Sequence, residues 1–319
     1  MTPSEPHATV HRITVDAPAE QVFALVADVT AWPYVFPPTL HAEYLRRSDT
    51  EERLRIWATA NGEVKTWTSR RLLHRDRRRI RFQQEVPAPP LASMSGEWIV
   101  EAAGPDRTEV TLTHEFRALT AEPETLAWIT RAVDTNSDAE LAALRNAAER
   151  TEDDRELLLT FADTVHVDAP PEPVYAFIHD ADGWPERLPH VARVRLDEDP
   201  PGTQLLEMDT RAPDGDVHTT RSVRICFAPE RIVYKQLERP RLLAVHTGRW
   251  SFRAVSGGTE VTSAHTVVLD RDAIPEVLPP DTTVARARQL VRNALGRNSR
   301  TTLEHAKAYV ERRVPADRR

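Results

Sequence analysis

The sequence predicts an α+β protein of two tandem domains, each a curved antiparallel sheet wrapped around a long C-terminal helix. Three observations predict it. The chain repeats itself once at about half its length, each copy carries a run of consecutive strand-like segments, and each copy ends in one long amphipathic segment of helical period.

The repeat is read from aligned segments. "HRITVDAPAEQVFALVADVTAWPYVFP" (11–37) matches "DTVHVDAPPEPVYAFIHDADGWPERLP" (163–189), with Val-Asp-Ala-Pro at 15 and 167 and Trp-Pro at 32 and 184. "GEVKTWTSRR" (62–71) meets "GDVHTTRSVR" (215–224), and "GEWIVEA" (96–102) meets "GRWSFRA" (248–254). "TEVTLTHEF" (108–116) meets "TEVTSAHTV" (259–267), and "AVDTNSDAEL" (132–141) meets "ALGRNSRTTL" (294–303). The order is kept and the offset drifts only by small insertions, so this is a duplicated domain. One pattern ends and the next begins near "ERTEDDRELLL" (149–159), giving domains 1–152 and 153–319.

Within a copy the elements follow in order. An alternating strand comes first, then "PAEQVFALVADVTAW", with Val22, Phe23, Val26 and Ala27 at helical spacing behind Pro18. Strand-like runs follow at 42–48, 52–60, 63–74, 78–86, 94–102 and 107–118, echoed at 191–198, 203–211, 216–227, 231–238, 244–255 and 259–269. Helices at 122–150 and 281–313 close the copies. Consecutive strands imply an antiparallel meander, and its apolar face must be covered by the lone long helix. A bent sheet gripping a helix leaves an interior space suited to a ligand.

Composition narrows the function. Among 319 residues, 40% are hydrophobic and 29% charged, ordinary values for a globular chain, and no apolar run approaches a membrane span. The first residues lack the basic-then-apolar layout of a signal peptide. The single Cys226 excludes an intramolecular disulfide and fits a reducing cytoplasm. A net charge of −7 disfavours wholesale nucleic-acid binding. With Gly 10 against Pro 25, no GxGxxG or P-loop is present; metal-ligand spacing and a G-x-S-x-G elbow are missing too, so no cofactor or metal is expected.

The candidate site begins with "KTWTSRRLLH" (65–74). Trp67, Ser69 and Arg71 share one parity and, on a strand, one face. A solvent face suits the Trp poorly and a packed core suits the Arg poorly; a cavity lined by both kinds of group suits all three. The competing reading leaves Arg71 at the rim, paired with a surface acid. Trp32, Phe36 and Trp98 are further aromatic candidates, and each is equally readable as plain core. His114 shares the parity of Val110 and Leu112, a position where a satisfied core His is the commoner outcome. Asn136 on the closing helix recurs as Asn298. The second copy keeps Trp184, Ser222, Arg224, Trp250 and His265 but has Thr220 where the first has Trp67, so the two pockets cannot hold one ligand pose.

Taken together, the "WP…FP" corner, the W-x-S-x-R strand, the "GEW" strand and the Asn-Ser of the last helix resemble the aromatase/cyclases of bacterial type II polyketide synthases, of the START-like, helix-grip superfamily. The tandem copy resembles that family's two-domain members, and the resemblance covers nearly the whole chain. The scarcity of lysine (positions 65, 235 and 307) reads as the codon usage of a GC-rich, actinobacterial genome. The resemblance implies regiospecific first-ring closure of a poly-β-ketone by aldol condensation between carbons seven and twelve, dehydration and aromatisation, or both. Arg71 and Ser69, with Arg224 and Ser222 in the second copy, would be the catalytic pairs, and the aromatic, His, Asn and Thr220 positions would bind substrate.

The implied partner is an acyl carrier protein bearing the chain, with a ketosynthase/chain-length factor and a ketoreductase as further partners. Arg75, Arg77, Arg78 and Arg79 at a strand-to-strand turn are candidates for carrier docking, against the plainer reading of a solvated hairpin tip. The alternative functions are a non-catalytic START-like binder of a lipid or aromatic molecule, and an interaction module with a filled interior.

Overall fold

The computed structural model describes residues 4–211 and 215–313, and the chain divides into two compact units, Met1–Thr151 and Glu152–Arg319. Unit one runs β1 His7–Val15, α1 Ala19–Ala27, α2 Trp32–Val35, β2 Thr39–Arg47, β3 Glu51–Ala60, β4 Glu63–His74, β5 Arg79–Val86, β6 Leu91–Gly104, β7 Arg107–Ala118 and α3 Pro123–Ala148. Unit two opens with the single turn α4 Glu152–Arg155. It continues with β8 Leu158–Val167, α5 Pro171–His179, α6 Trp184–Arg187, β9 Val191–Glu198, β10 Thr203–Arg211, β11 Val217–Phe227, β12 Arg231–Glu238, β13 Leu243–Val255, β14 Gly258–Leu269, α7 Ile274–Val277 and α8 Val284–Glu311.

Each unit is one seven-stranded antiparallel sheet with its first strand paired to its last: β1-β7-β6-β5-β4-β3-β2 and β8-β14-β13-β12-β11-β10-β9. Helix α3 packs on β1 and β7 at one end of the sheet and also reaches β3 near the other. One straight helix can touch both only if the sheet curls around it, which is the helix grip. The stripe Ile129, Val133, Leu141, Leu144 and Ala148 is the buried face of α3; Ala287, Val291, Leu303, Ala306 and Val310 do the same work on α8.

Local signals explain most boundaries. Pro123 sits in the first turn of α3, where its missing N–H costs nothing. Asn61 and Gly62 both take positive φ (49° and 83°) in the two-residue turn between β3 and β4, the geometry that Asn-Gly favours. Beta-strand β2 starts at Thr39, ahead of the expected 42. The sequence pattern predicts no element over 270–280, whereas Ile274–Val277 forms one helical turn. Its Ile274 packs into an apolar cluster with Leu242 and Val291, a tertiary contact that four residues of local pattern do not announce.

Candidate active site

In unit one the inward residues of β3 to β7, with α2 and α3, enclose a cavity of about 170 Å3. A single water needs only about 10–15 Å3 on the same measure. Trp32, Phe36, Trp67, Ser69, Arg71, Trp98, His114 and Asn136 all line it. The shared parity of Trp67, Ser69 and Arg71 on β4 thus brings all three to one interior. Trp98 and Phe36 are 5% and 1% exposed and lie in the main apolar cluster, so core and cavity wall are the same residues here.

Arg71 is not at the rim. It is 2% exposed, and its guanidinium donates to the carbonyls of Val26 (3.4 Å) and Ala27 (3.0 Å), the C-terminal end of α1. Those carbonyls lack helical partners and carry the negative end of the helix dipole, so a cation there is well placed. The Trp32 indole lies 5.1 Å from the guanidinium carbon and donates Nε1–H to the Val26 carbonyl at 3.2 Å. Trp-Pro corner, strand arginine and helix end thus form one latch. A fully buried Glu52 on β3, directly opposite Arg71 in the ladder, completes it with an ion pair of 3.3 Å. The acid that pairs Arg71 is interior, not superficial. Burial pulls the Arg71 pKa down to about 10, with Glu52 opposing the shift, so the group stays cationic at neutral pH.

The other polar groups are also partly committed. Ser69 donates Oγ–H to the Gln83 carbonyl (3.2 Å), which leaves its oxygen free to accept. Asn136 donates to the Thr59 carbonyl (2.9 Å), tying α3 to β3. Burial, reinforced by His11, lowers the His114 pKa to about 4; the ring is neutral at pH 7, and its Nδ1 is buried without a hydrogen-bond partner.

Two acids at this site escaped the sequence reading. Glu52 shares the parity of inward Leu54, Ile56 and Ala58, so strand alternation held its signal. Glu140 lies four residues after Asn136 on the cavity face of α3, and helical spacing held its signal. Burial alone raises the Glu140 pKa from 4.5 to about 7.

Unit two builds the same latch on a different floor. Trp184, Thr220, Ser222, Arg224, Trp250, His265 and Asn298 line a cavity of about 130 Å3. Arg224 donates to Ile178 (2.5 Å) and His179 (3.4 Å) at the end of α5, and Trp184 Nε1–H donates to Phe177 (3.1 Å). The ladder partner of Arg224 is Gln204, so the neutral amide replaces Glu52. Tyr234 and His246 stand where unit one has Phe82 and Met94. With His265 they form a buried polar knot: Tyr234 Oη to His265 Nδ1 at 3.1 Å, and His246 Nε2 to the same nitrogen at 3.1 Å. Burial lowers the pKa of His246 to about 3 and of His265 to about 4. Of these three, His265 alone is marked by the repeat, as the counterpart of His114.

The four arginines of the hairpin tip are spread over a short helical turn and the start of β5, with Arg78 in a left-handed conformation. Each meets a local acceptor: Arg75 the Asp49 carbonyl (3.3 Å), Arg77 Asp76 (3.7 Å), Arg78 Glu20 (2.9 Å) and Arg79 Glu101 (3.5 Å). The patch is less positive than its sequence suggests. Among the described residues no group of three or more His, Cys, Asp or Glu side chains is placed to hold a metal ion.

The family model described as polyketide cyclase/dehydrase and lipid transport matches residues 6–149 and, a second time, 159–311. The chain belongs to this family. It is 46% identical over 307 residues to the granaticin polyketide synthase bifunctional cyclase/dehydratase of Streptomyces violaceoruber, covering 96% of this chain and 95% of that one. It is 46% identical over 312 residues to the actinorhodin polyketide synthase bifunctional cyclase/dehydratase of Streptomyces coelicolor, covering 95% and 96%. Among solved structures, the di-domain ARO/CYC BexL superposes with a TM-score of 0.84 at 52% identity, over 95% of this chain and 98% of that one. The di-domain ARO/CYC StfQ from the steffimycin biosynthetic pathway does so with a TM-score of 0.84 at 37% identity, over 96% and 99%. As polyketide cyclase/dehydrase domains, the two units are copies of one helix-grip unit with different cavity floors.

Proposed function

We propose that this protein is a cyclase/dehydratase of aromatic polyketide biosynthesis, acting chiefly in unit one. The observation that carries the reading is the indole-walled cavity around Trp32, Trp67 and Trp98, with a buried cation at one wall. A poly-β-ketone has acidic methylenes between carbonyls and needs a chosen fold more than a strong base. The aromatic walls bend the chain so that carbons seven and twelve meet, which is catalysis by orientation. Arg71, in the cavity wall, supplies a fixed positive charge to the developing oxyanion. Ser69 accepts a hydrogen bond from substrate or a water. Loss of water then gives the aromatic first ring. Unit two, with Thr220 for Trp67 and Tyr234 and His246 in its wall, takes a different pose of the chain or of its cyclised product.

The test is reconstitution with a minimal polyketide synthase. Wild type is expected to replace the spontaneous products by one ring pattern, and Trp67→Ala to lose that selectivity on the order of tenfold while folding normally. Identical product mixtures with and without the protein defeat the reading.

The chain is delivered on an acyl carrier protein in the cytoplasm, in company with the ketosynthase/chain-length factor and, for reduced substrates, a ketoreductase. Carriers are acidic, so the Arg75–Arg79 corner is the proposed docking point. Because local carboxylates already meet Arg77, Arg78 and Arg79, the expected effect of reversing these three charges is modest: a roughly three- to tenfold fall in kcat/KM for carrier-bound substrate at low salt, vanishing at high salt. A free thioester mimic should be turned over as before. Unchanged turnover of the carrier-bound form removes the patch from the proposal.

A further inference from the structure

The same histidine stands in both cavities, as His114 and His265, but three positions around it change with the copy. Phe82, Met94 and Leu112 of unit one become Tyr234, His246 and Ser263 in unit two. Three apolar side chains are exchanged for three polar ones, and all three meet the histidine. Tyr234 Oη and His246 Nε2 each lie 3.1 Å from His265 Nδ1, and Ser263 Oγ lies 3.2 Å from its Nε2. His246, Ser263 and His265 are buried. A buried polar network that is only half satisfied is worse than an apolar wall, and unit one shows that this fold accepts the apolar wall.

The network of unit two is not complete. Burial lowers the pKa of His246 to about 3 and of His265 to about 4, so at pH 7 each imidazole is neutral and carries one ring proton. His265 Nδ1 cannot serve both of its neighbours. If it carries the proton it donates, and the hydroxyl proton of Tyr234 is left over. If it is bare, its single lone pair takes one donor, and the Tyr234 oxygen can still accept. Either way Tyr234 keeps hydrogen-bonding capacity, and His246 Nδ1 is buried with no partner. Gln236, two residues on from Tyr234 and so on the same face of β12, adds a buried Oε1 with no partner. It repeats Gln84 of unit one, so the donors beside it are what unit two adds. Tyr234, Gln236 and His246 all line the cavity, with Trp184, Trp250 and Leu206 as apolar wall. Among the described residues no carboxylate lines it, and Arg224 is engaged by the carbonyls at the end of α5, so the wall addresses a neutral guest.

We propose that unit two holds a second ligand site, for a neutral hydroxylated aromatic ring, with Tyr234, His246 and Gln236 as the groups that take its phenolic hydroxyls. The assignment rests on the cyclase/dehydratase reading and deepens it. Ring closure and loss of water turn ketones, which only accept hydrogen bonds, into phenols, which donate and accept. A wall that offers donor and acceptor groups side by side matches the ring after it has formed, not the open chain. Unit two therefore takes the product of ring closure, and its polar network is completed by that guest. Unit one, with Phe82 and Met94 at the same positions, has no such preference.

The test is calorimetric titration of the full chain with three probes of one shape: β-naphthol, which donates and accepts, its methyl ether, which only accepts, and naphthalene, which does neither. Wild type is expected to bind β-naphthol about tenfold more tightly than the other two. The double variant Tyr234→Phe with His246→Met, which gives unit two the residues of unit one, should lose that preference while its affinity for naphthalene stays within about twofold. A wild type that binds the three probes equally overturns the site. So does a double variant that keeps the preference, since the naphthol would then be held elsewhere. Should the double variant fail to fold, a crystal of wild type grown with β-naphthol decides. Its hydroxyl within hydrogen-bond distance of Tyr234, His246 or Gln236 upholds the site, and naphthol in unit one alone overturns it. None of these readouts needs ring closure, so the site can fail while wild type still imposes one ring pattern on the products of a minimal polyketide synthase. A wild type that leaves those products unchanged brings down the cyclase reading and, with it, the role of unit two as the product site.

Discussion

Arg71→Ala is expected to destabilise unit one by roughly 3–5 kcal/mol, the cost of leaving a buried charge without its partner. Glu52 is fully buried, and after the substitution Arg47, at 3.3 Å with a half-exposed side chain, is the one ion-pair partner left to it among the described residues. The Ala27 carbonyl loses its side-chain donor in the same stroke, while the Val26 carbonyl keeps the Trp32 indole N–H. Equilibrium urea unfolding of the single and double variants separates these contributions. Arg71→Met with Glu52→Leu should regain much of the lost stability, because a buried ion pair exchanged as a pair for apolar groups costs little. The corresponding change in unit two, Arg224→Ala, strands no carboxylate opposite it, since Gln204 occupies the ladder position of Glu52. Its expected cost is smaller, about 2 kcal/mol for lost charge-assisted hydrogen bonds. Equal losses in the two units contradict the latch. Any activity lost in Arg71→Ala must be normalised to the folded fraction before it is read as chemistry.

Gly96→Ala is the second large effect, about 3 kcal/mol or more by the scale of overpacked cores. A Cβ at this position would sit inside the contact distance of both the Thr113 carbonyl oxygen and the Phe82 ring. Phe82 is directly opposite Gly96 in the β5–β6 ladder and closes over it. Because Phe82 also lines the cavity, the added methyl reshapes the binding surface as it destabilises the sheet. Trimming the ring in Gly96→Ala with Phe82→Ala removes one clash and leaves the backbone one, so the double variant should remain destabilised. Gly248 beneath Tyr234 repeats the arrangement, with the Ala264 carbonyl in the role of Thr113. An unchanged denaturation midpoint for Gly96→Ala would show that the two strands part without cost. This close approach, not turn geometry, explains why Gly-x-Trp recurs at 96–98 and 248–250.

Much of the site was legible in sequence because period-2 alternation is a hard geometric rule. Trp67, Ser69 and Arg71 had to share a face, and they do. What alternation cannot supply is the identity of the facing partner. That Arg71 lies against the end of α1 depends on where a helix some forty residues earlier terminates. Glu52 and Glu140 carried the right periodicity but looked like ordinary surface acids, since most glutamates are exposed. The arginine-rich tip is the converse case. Its charge was plain in the sequence, but two of the acids that offset it, Glu20 and Glu101, come from distant segments.

The duplication, the order of strands and helices, the meander and the membership of the inward face are written in the order of the amino acids. These follow from local periodicity and from comparing the chain with itself. Folding in three dimensions is what makes the recurrent Trp-Pro and Arg positions of the two copies a latch on a helix end, buries a carboxylate there in one copy and an amide in the other, and sets Glu140 on a cavity wall. The reason is physical: charge and proton affinity depend on burial and on neighbours across the sheet, and no local pattern records either.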